Sequence, residues 1–273
     1  MKNLLLTMIA TTAFLVGGPS TAIATGGSKN VKLHVNPRWK ECSFQLDPSL
    51  TQAAWHQFAR EAGLVIYFRP LIDARPMGAG NYELSVLQWQ TGIDDTDPAW
   101  NDTFVHPDST HWLYEGSGLA FPGLSFRAGI TDDIDAGVYF TKNPNANYGV
   151  WGVQMQYNVI DNTEQNWVAS VRGNFVSLFG PDDLGLTVVG LDLVASREYE
   201  VWSDWVSLSP YAGVSTYLAN AHETSAVVDL KDEHVVGAQA MVGVAAKVSM
   251  ARLSMEYNLA KVHSFSLKIG VAF

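Results

Sequence analysis

The chain has 273 residues, 47% of them apolar, and a mean hydropathy of +0.03. Only 16% are charged, below the roughly 25% usual in soluble domains, and the 27 acidic against 17 basic residues leave a formal charge of −10. That balance argues against a nucleic-acid partner, which needs a basic face, and the single cysteine, Cys42, rules out an intramolecular disulfide.

The first segment reads as a secretory signal. Lys2 supplies a positive start, Leu4 to Val16 is mostly apolar, and Gly17-Gly18-Pro19 breaks the helix before the A-x-A site Ala22-Ile23-Ala24. Cleavage is expected after Ala24, which makes residues 1–24 the signal peptide. One lysine is lost, so 16 basic residues face 27 acidic ones and the mature charge is −11. The apolar run is shorter than the roughly 20 residues that a spanning helix needs, and no apolar run of about 18 follows it. Cys42 lies well past the cleavage site and reads as a small apolar residue.

Residues 25–80 form a periplasmic or plug segment. Asp47-Pro48 suits a cap and first helical position. Leu50, Ala54 and Phe58 recur at spacing four beside Trp55 and Ala62, and Gly63 can end a helix. The expectation is a short amphipathic helix over 48–62, lying under a barrel mouth, inside the lumen or on the inner leaflet. Leu64 to Phe68 is an apolar run stopped by Arg69-Pro70. Gly78-Ala79-Gly80 lacks the third glycine of a dinucleotide fingerprint, and no nucleotide or other cofactor is expected.

From Asn81 to Phe273 the dominant period is two, the signature of strands with two unlike faces. At the end of the chain Phe265, Leu267, Ile269, Val271 and Phe273 alternate with Ser264, Ser266, Lys268, Gly270 and Ala272. Similar runs surround Tyr257, Val242, Met155 and Phe126. They last about ten residues, the length that crosses a bilayer at a tilt. Turn signals divide the region into strands near 81–91, 119–130, 135–142, 148–159, 167–178, 185–197, 205–218, 235–248, 251–259 and 264–273. The connectors 131–134, 161–166, 198–204 and 249–250 are tight, whereas 92–118 and 219–234 are long. Short periplasmic turns and long outer loops fit an all-β fold: a closed antiparallel transmembrane barrel of about ten strands. The number becomes twelve if Val31–Val35, Cys42–Leu46 or Leu64–Phe68 add strands. Trp151, Trp167, Trp205, Tyr217 and Tyr257 fall near strand ends, where aromatic rings settle at headgroup level.

A signal peptide, about ten amphipathic strands and a terminal strand ending in Phe273 resemble the bacterial outer-membrane β-barrel proteins of the Gram-negative envelope. The resemblance implies location in the cell outer membrane, with envelope lipid around the barrel. It also implies that Phe265, Leu267, Ile269, Val271 and Phe273 are the signal read by the barrel-assembly machinery.

Charge on a lipid-facing strand position costs roughly 2–4 kcal/mol at midplane, so Glu83, Arg127, Asp135, Arg172, Asp192, Lys247, Arg252, Glu256 and Lys268 are expected to face inward. Both signs occur, which suggests pairs across the lumen. Arg127, Arg172, Asp192, Lys247, Arg252 and Glu256 would line a narrow polar path or fill a salt-bridged interior. The group Asp94, Asp95, Thr96, Asp97, Asp102, His106, Asp108 and His111 lacks the spacing of a dedicated calcium loop and reads as a solvated acidic loop, with no metal site. Asp232-Glu233-His234, beside His222-Glu223, resembles the Asp-x-His pair of the omptin proteases, with Asp94 and Asp95 as the facing acids. Nothing else in the chain carries that resemblance, and no G-x-S-x-G, HExxH or P-loop occurs. The leading expectation is non-catalytic passage of a small solute or ligand. The alternatives are a surface-interaction barrel, binding a partner or envelope lipid through the loops 92–118 and 219–234, and a rim hydrolase that uses His234.

Overall fold

Alternation along the second two thirds of the chain produces ten antiparallel strands joined into one closed sheet. The structure, a computed structural model, describes residues 46–94, 97–101, 103, 119–142, 148–162, 164–201 and 205–273. The signal segment, Cys42, Val31–Val35 and the loop residues Asp95, Thr96, Asp102, His106, Asp108 and His111 lie outside the described residues. The strands are β1 (Tyr82–Thr91), β2 (Leu119–Gly129), β3 (Ile134–Lys142), β4 (Gly149–Asn162), β5 (Trp167–Phe179), β6 (Leu184–Arg197), β7 (Val206–Glu223), β8 (Glu233–Val248), β9 (Ala251–Leu259) and β10 (Ser264–Ala272). A two-residue strand, Tyr199–Glu200, adds to the edge of β7 at Ser207 and Leu208.

Each strand pairs with its sequence neighbours. Two pairings complete the ring: β1 with β10, from Glu83 opposite Ala272 to Thr91 opposite Ser264, and β6 with β7, from Leu184 opposite Glu223 to Ser196 opposite Tyr211. Closure leaves the spanning region without a bare edge, which lipid could not satisfy. A bulge between Asn158 and Ile160 adjusts β4 against β5. Leu64–Phe68 is not a strand, so among the described residues it does not enlarge the barrel.

The outer surface is apolar through the middle of the barrel. Leu84, Leu124, Met155, Leu193, Val214 and Phe265 are each more than half exposed there, an extent of apolar surface that soluble monomers rarely show. Across the wall the alternate positions are polar in the lower barrel, including Ser85, Gln156, Ser170 and Ser254. The faces exchange chemistry toward the loop end. In β7 the inward positions change from Ser207, Ser209 and Ser215 to Tyr217, Ala219 and Ala221, while the outward ones change from Leu208 and Val214 to Asn220 and His222. The pleat continues unbroken. What changes is the medium on each side.

This exchange corrects the expected loop over 219–234. β7 extends to Glu223 and β8 begins at Glu233, with Asn220 opposite His234 and Ala221 opposite Glu233, so the true connection is 224–232. Polar outward residues above the membrane look like loop in the sequence, yet they are strand positions in water.

The helix is displaced in the same way. It runs over α1 (Gln52–Ile66), with Thr51 as N-cap, its side chain accepting from the Ala54 amide. Asp47, the expected cap, instead accepts from the Ser49 amide at 2.7 Å and fixes the turn before the helix. Gly63 does not end the helix. A side chain there would sit 2.7 Å from the Ala219 Cβ and 3.2 Å from the Tyr217 ring, so glycine admits the helix to the barrel wall. Tyr217 itself is buried against α1, donating to the Arg60 carbonyl at 3.2 Å, and is not a headgroup aromatic. Trp151, Trp205 and Tyr257 do face outward.

If the exterior is solvated by lipid, reversing one outward side chain must be costly. Val86→Arg, mid-strand and 52% exposed, is expected to lower folding free energy by about 2–4 kcal/mol, read from urea unfolding in lipid vesicles. The conservative Val86→Ile at the same position should leave that midpoint nearly unchanged.

Candidate functional site in the barrel lumen

The residues before β1 enter the barrel at its loop end and leave it at its turn end. At the loop end the Leu46 amide donates to Asp183, Gln52 to Glu233 and the Lys231 carbonyl, and Gln57 to Asp97 at 2.6 Å. Asp97 also accepts from the Ala99 amide at the start of α2 (Pro98–Asn101), so this acid ties two helices together rather than sitting in a solvated loop. Trp100 donates to the buried Glu61 carboxylate at 2.7 Å, with Lys261 at 3.5 Å. Beneath these contacts Trp55 stacks on Phe58, and Trp100 meets Phe58 edge to face. Their inner-wall partners include Trp89, Val150, Leu186 and Val188.

Below α1 the chain is extended and its polar groups are taken by the wall. The Arg69 guanidinium donates to Asn258, to the Ser264 hydroxyl and to the carbonyls of Leu64, Val65 and Tyr67. The Tyr67 hydroxyl donates to Asp192, and Gly190 leaves room for that ring, since a Cβ there would meet it at 2.4 Å. Arg172 donates to the carbonyls of Ile72 and Asp73 at 2.6 and 2.8 Å and to Gln156 at 2.7 Å. Ala74 is held from both sides: its amide donates to Ser196 and its carbonyl accepts from Ser170 and Gln156. Asp135 accepts from the Met77 amide, and Arg127 bridges Asp135 and the Arg75 carbonyl. Gly78 and Gly80 take positive φ and turn the chain into β1, with the Gly80 amide on the Gly129 carbonyl.

The inward set is therefore placed as follows. Arg127, Arg172, Asp192 and Glu256 are buried on the inner wall. Arg252 is half-buried and Lys247 exposed, both lining a cavity at the turn end. The expected pairs across the lumen are replaced by two other kinds of contact. Neighbouring strands form Arg127–Asp135 and Lys268–Glu83, the latter at 2.6 Å. Arg172 and Asp192 bond chiefly to the threaded segment, and Tyr211 donates to Glu256 at 2.9 Å. The lumen is too full for charges to meet across it. Tyr67 and Arg69 were not legible as site residues; Arg69-Pro70 read as a stop, and only its position beside a buried apolar run hinted at an interior charge.

At the loop end, Asp232 pairs with His222 at 2.5 Å, whereas His234 Nδ1 lies 2.7 Å from Asn220 Oδ1. Glu233 pairs with His56 of α1 at 2.6 Å. The sequence neighbours Asp232 and His234 thus have different partners.

An even-stranded closed barrel with an apolar girdle, a polar lower interior and short turns at the end where β1 begins and β10 finishes defines the class: a closed antiparallel β-barrel of the transmembrane type. No protein-family model and no curated protein sequence matches the chain. Among solved structures it is similar to the β domain of the Bordetella autotransporter BrkA, at 12% identity over 71% of this chain and 100% of that one, TM-score 0.43. It is also similar to LpxR from Salmonella typhimurium, at 10% identity over 69% and 99%, TM-score 0.38. A third is the N-terminal barrel domain of Pseudomonas aeruginosa OprF, at 13% identity over 72% and 100%, TM-score 0.28.

Breaking a buried ion pair by removing one partner typically costs about 3–5 kcal/mol, while removing both costs much less. Lys268→Met alone should therefore destabilise the barrel by about that amount in urea unfolding. The double variant Lys268→Met/Glu83→Met should recover most of the loss.

Proposed function

We propose that this outer-membrane barrel is closed to free solute flow at rest by its own threaded segment and works at its loop end, as a non-catalytic surface-interaction barrel. One observation carries the reading: the segment from Tyr67 to Gly80 is bonded to the wall along its course. Arg172 and Gln156 are 0% exposed and Asp192 is 1% exposed. A water-filled path would wet the side chains that line it. The loop end also favours recognition, because α1, α2 and the β7–β8 hairpin are fastened together by Gln52, His56, Gln57 and Glu61. A pre-ordered surface loses less entropy when it binds.

Export is taken to use the N-terminal signal, cleaved after Ala24, with assembly read from the last strand, whose Phe265, Val271 and Phe273 side chains face outward. A second reading, solute passage on withdrawal of the threaded segment, is favoured by the wall itself. Ser85, Gln156, Ser170, Ser254 and Ser266 would line a wettable lumen if the segment moved.

Planar-bilayer recording separates the readings. The wild-type protein should show no openings, and proteoliposomes should not swell with small sugars. Arg69→Ala/Arg172→Ala, which unfastens the segment, should open intermittently. Steady wild-type openings would overturn the closed-barrel reading. Mass spectrometry of the protein from outer membranes should give an N-terminus at Thr25.

A further inference from the structure

The lower end of the barrel holds a cavity of about 380 Å³ between the threaded segment and the turn-end rim. Three of its cations have an assigned carboxylate or neighbour. Lys268 is held by Glu83, Arg75 by Glu198 at 3.1 Å, and Arg127 by Asp135 outside the cavity lining. Two do not. Lys247 and Arg252 face each other directly on β8 and β9 and both line the cavity. Neither has a carboxylate within ion-pair distance among the described residues; Arg252 donates only to the carbonyls of Ser249 and Ala251. Like charges directly opposite on adjacent strands destabilise a sheet, and an anion bound between them would relieve that repulsion.

A third cation lies on the inner wall of the same space: Arg127 lines the cavity, its guanidinium held by Asp135 and the Arg75 carbonyl. Of the acids on the lining, Glu83 accepts from Lys268 and Ser85, Glu198 from Arg75, and Asp73 only from the Arg75 amide. Five cations, Arg75, Arg127, Lys247, Arg252 and Lys268, against these three acids leave the lining positive.

We propose that this turn-end cavity is a binding site for a phosphate-type oxyanion, held by Lys247 and Arg252 with Arg127 at its inner wall. Arg supplies a planar fork for such oxygens and Lys a point charge. The same chemistry is offered by a soluble phosphate compound in the periplasm and by an anionic lipid headgroup of the inner leaflet. The site is independent of whether the lumen ever opens.

The test uses the mature full-length protein, first in zwitterionic micelles, titrated calorimetrically with inorganic phosphate against chloride of matched ionic strength. Saturable phosphate binding is expected. Lys247→Gln/Arg252→Gln should weaken it at least tenfold, and Arg252→Lys should retain most of it. Removing two facing cations should not impair folding, which the heat-dependent gel shift of the barrel checks. Lys261→Gln, at the opposite end, should bind as wild type. Absence of saturable phosphate binding, or equal binding by the double variant, overturns the proposal. Repeating the titration in nanodiscs assigns the source. Loss of free-phosphate binding when phosphatidylglycerol replaces phosphatidylcholine identifies a lipid headgroup, and unchanged binding identifies a soluble phosphate.

Discussion

Hydrocarbon offers no hydrogen bonds, so every backbone amide and carbonyl that crosses it must find a partner within the protein. In this chain the requirement is met by joining β1 to β10 and β6 to β7, and much of the rest follows. A closed ring fixes which face of each strand meets lipid, and therefore where each charge must go. It also creates an interior about ten strands around, larger than a few side chains fill easily and smaller than a wide pore. The protein fills that interior with its own preceding chain.

The filling is of two kinds. In the loop half the barrel rises above the membrane, and its inner wall carries Trp89, Val150, Leu186 and Tyr217. There α1 buries Trp55 and Phe58 as a helix does in a soluble core. In the lower half the segment is extended, and its backbone has no helix or sheet of its own to satisfy it. The wall supplies the missing partners through Ser170, Gln156, Arg172, Ser196 and Asp135. Polar inward residues that would line water in an open barrel here serve as hydrogen-bond partners for a buried strand-like chain.

That division separates the two ends functionally. The loop end is tied by α1 and α2 into a firm surface, with the acids Asp97, Glu61 and Glu233 consumed in ties to neighbouring elements. The turn end keeps a cavity in which two facing cations lack carboxylate partners. Shape alone would not distinguish these ends; the accounting of charge partners does.

Strand number and inward charges were legible because a period of two is imposed by the pleat and its contrast by lipid. Phe126, Met155 and Phe265 could face only outward, and Arg172 and Asp192 only inward. Legibility failed where lipid gave way to water. At Asn220, His222 and His234 the strands continue with reversed chemistry, so a hydrophobic pattern ends before the strand does. It failed again at Gly63, which resembles a helix stop and is a point of close approach to Ala219.

The sequence by itself determined the barrel, its membrane setting and the side of the wall on which each charge lies, since these depend on neighbours along one strand. Only the tertiary structure decided what occupies the lumen and which charges are paired. Those outcomes join Tyr67 to Asp192 and Arg69 to Asn258, residues more than a hundred positions apart, and nothing local to either end of such a contact specifies the other.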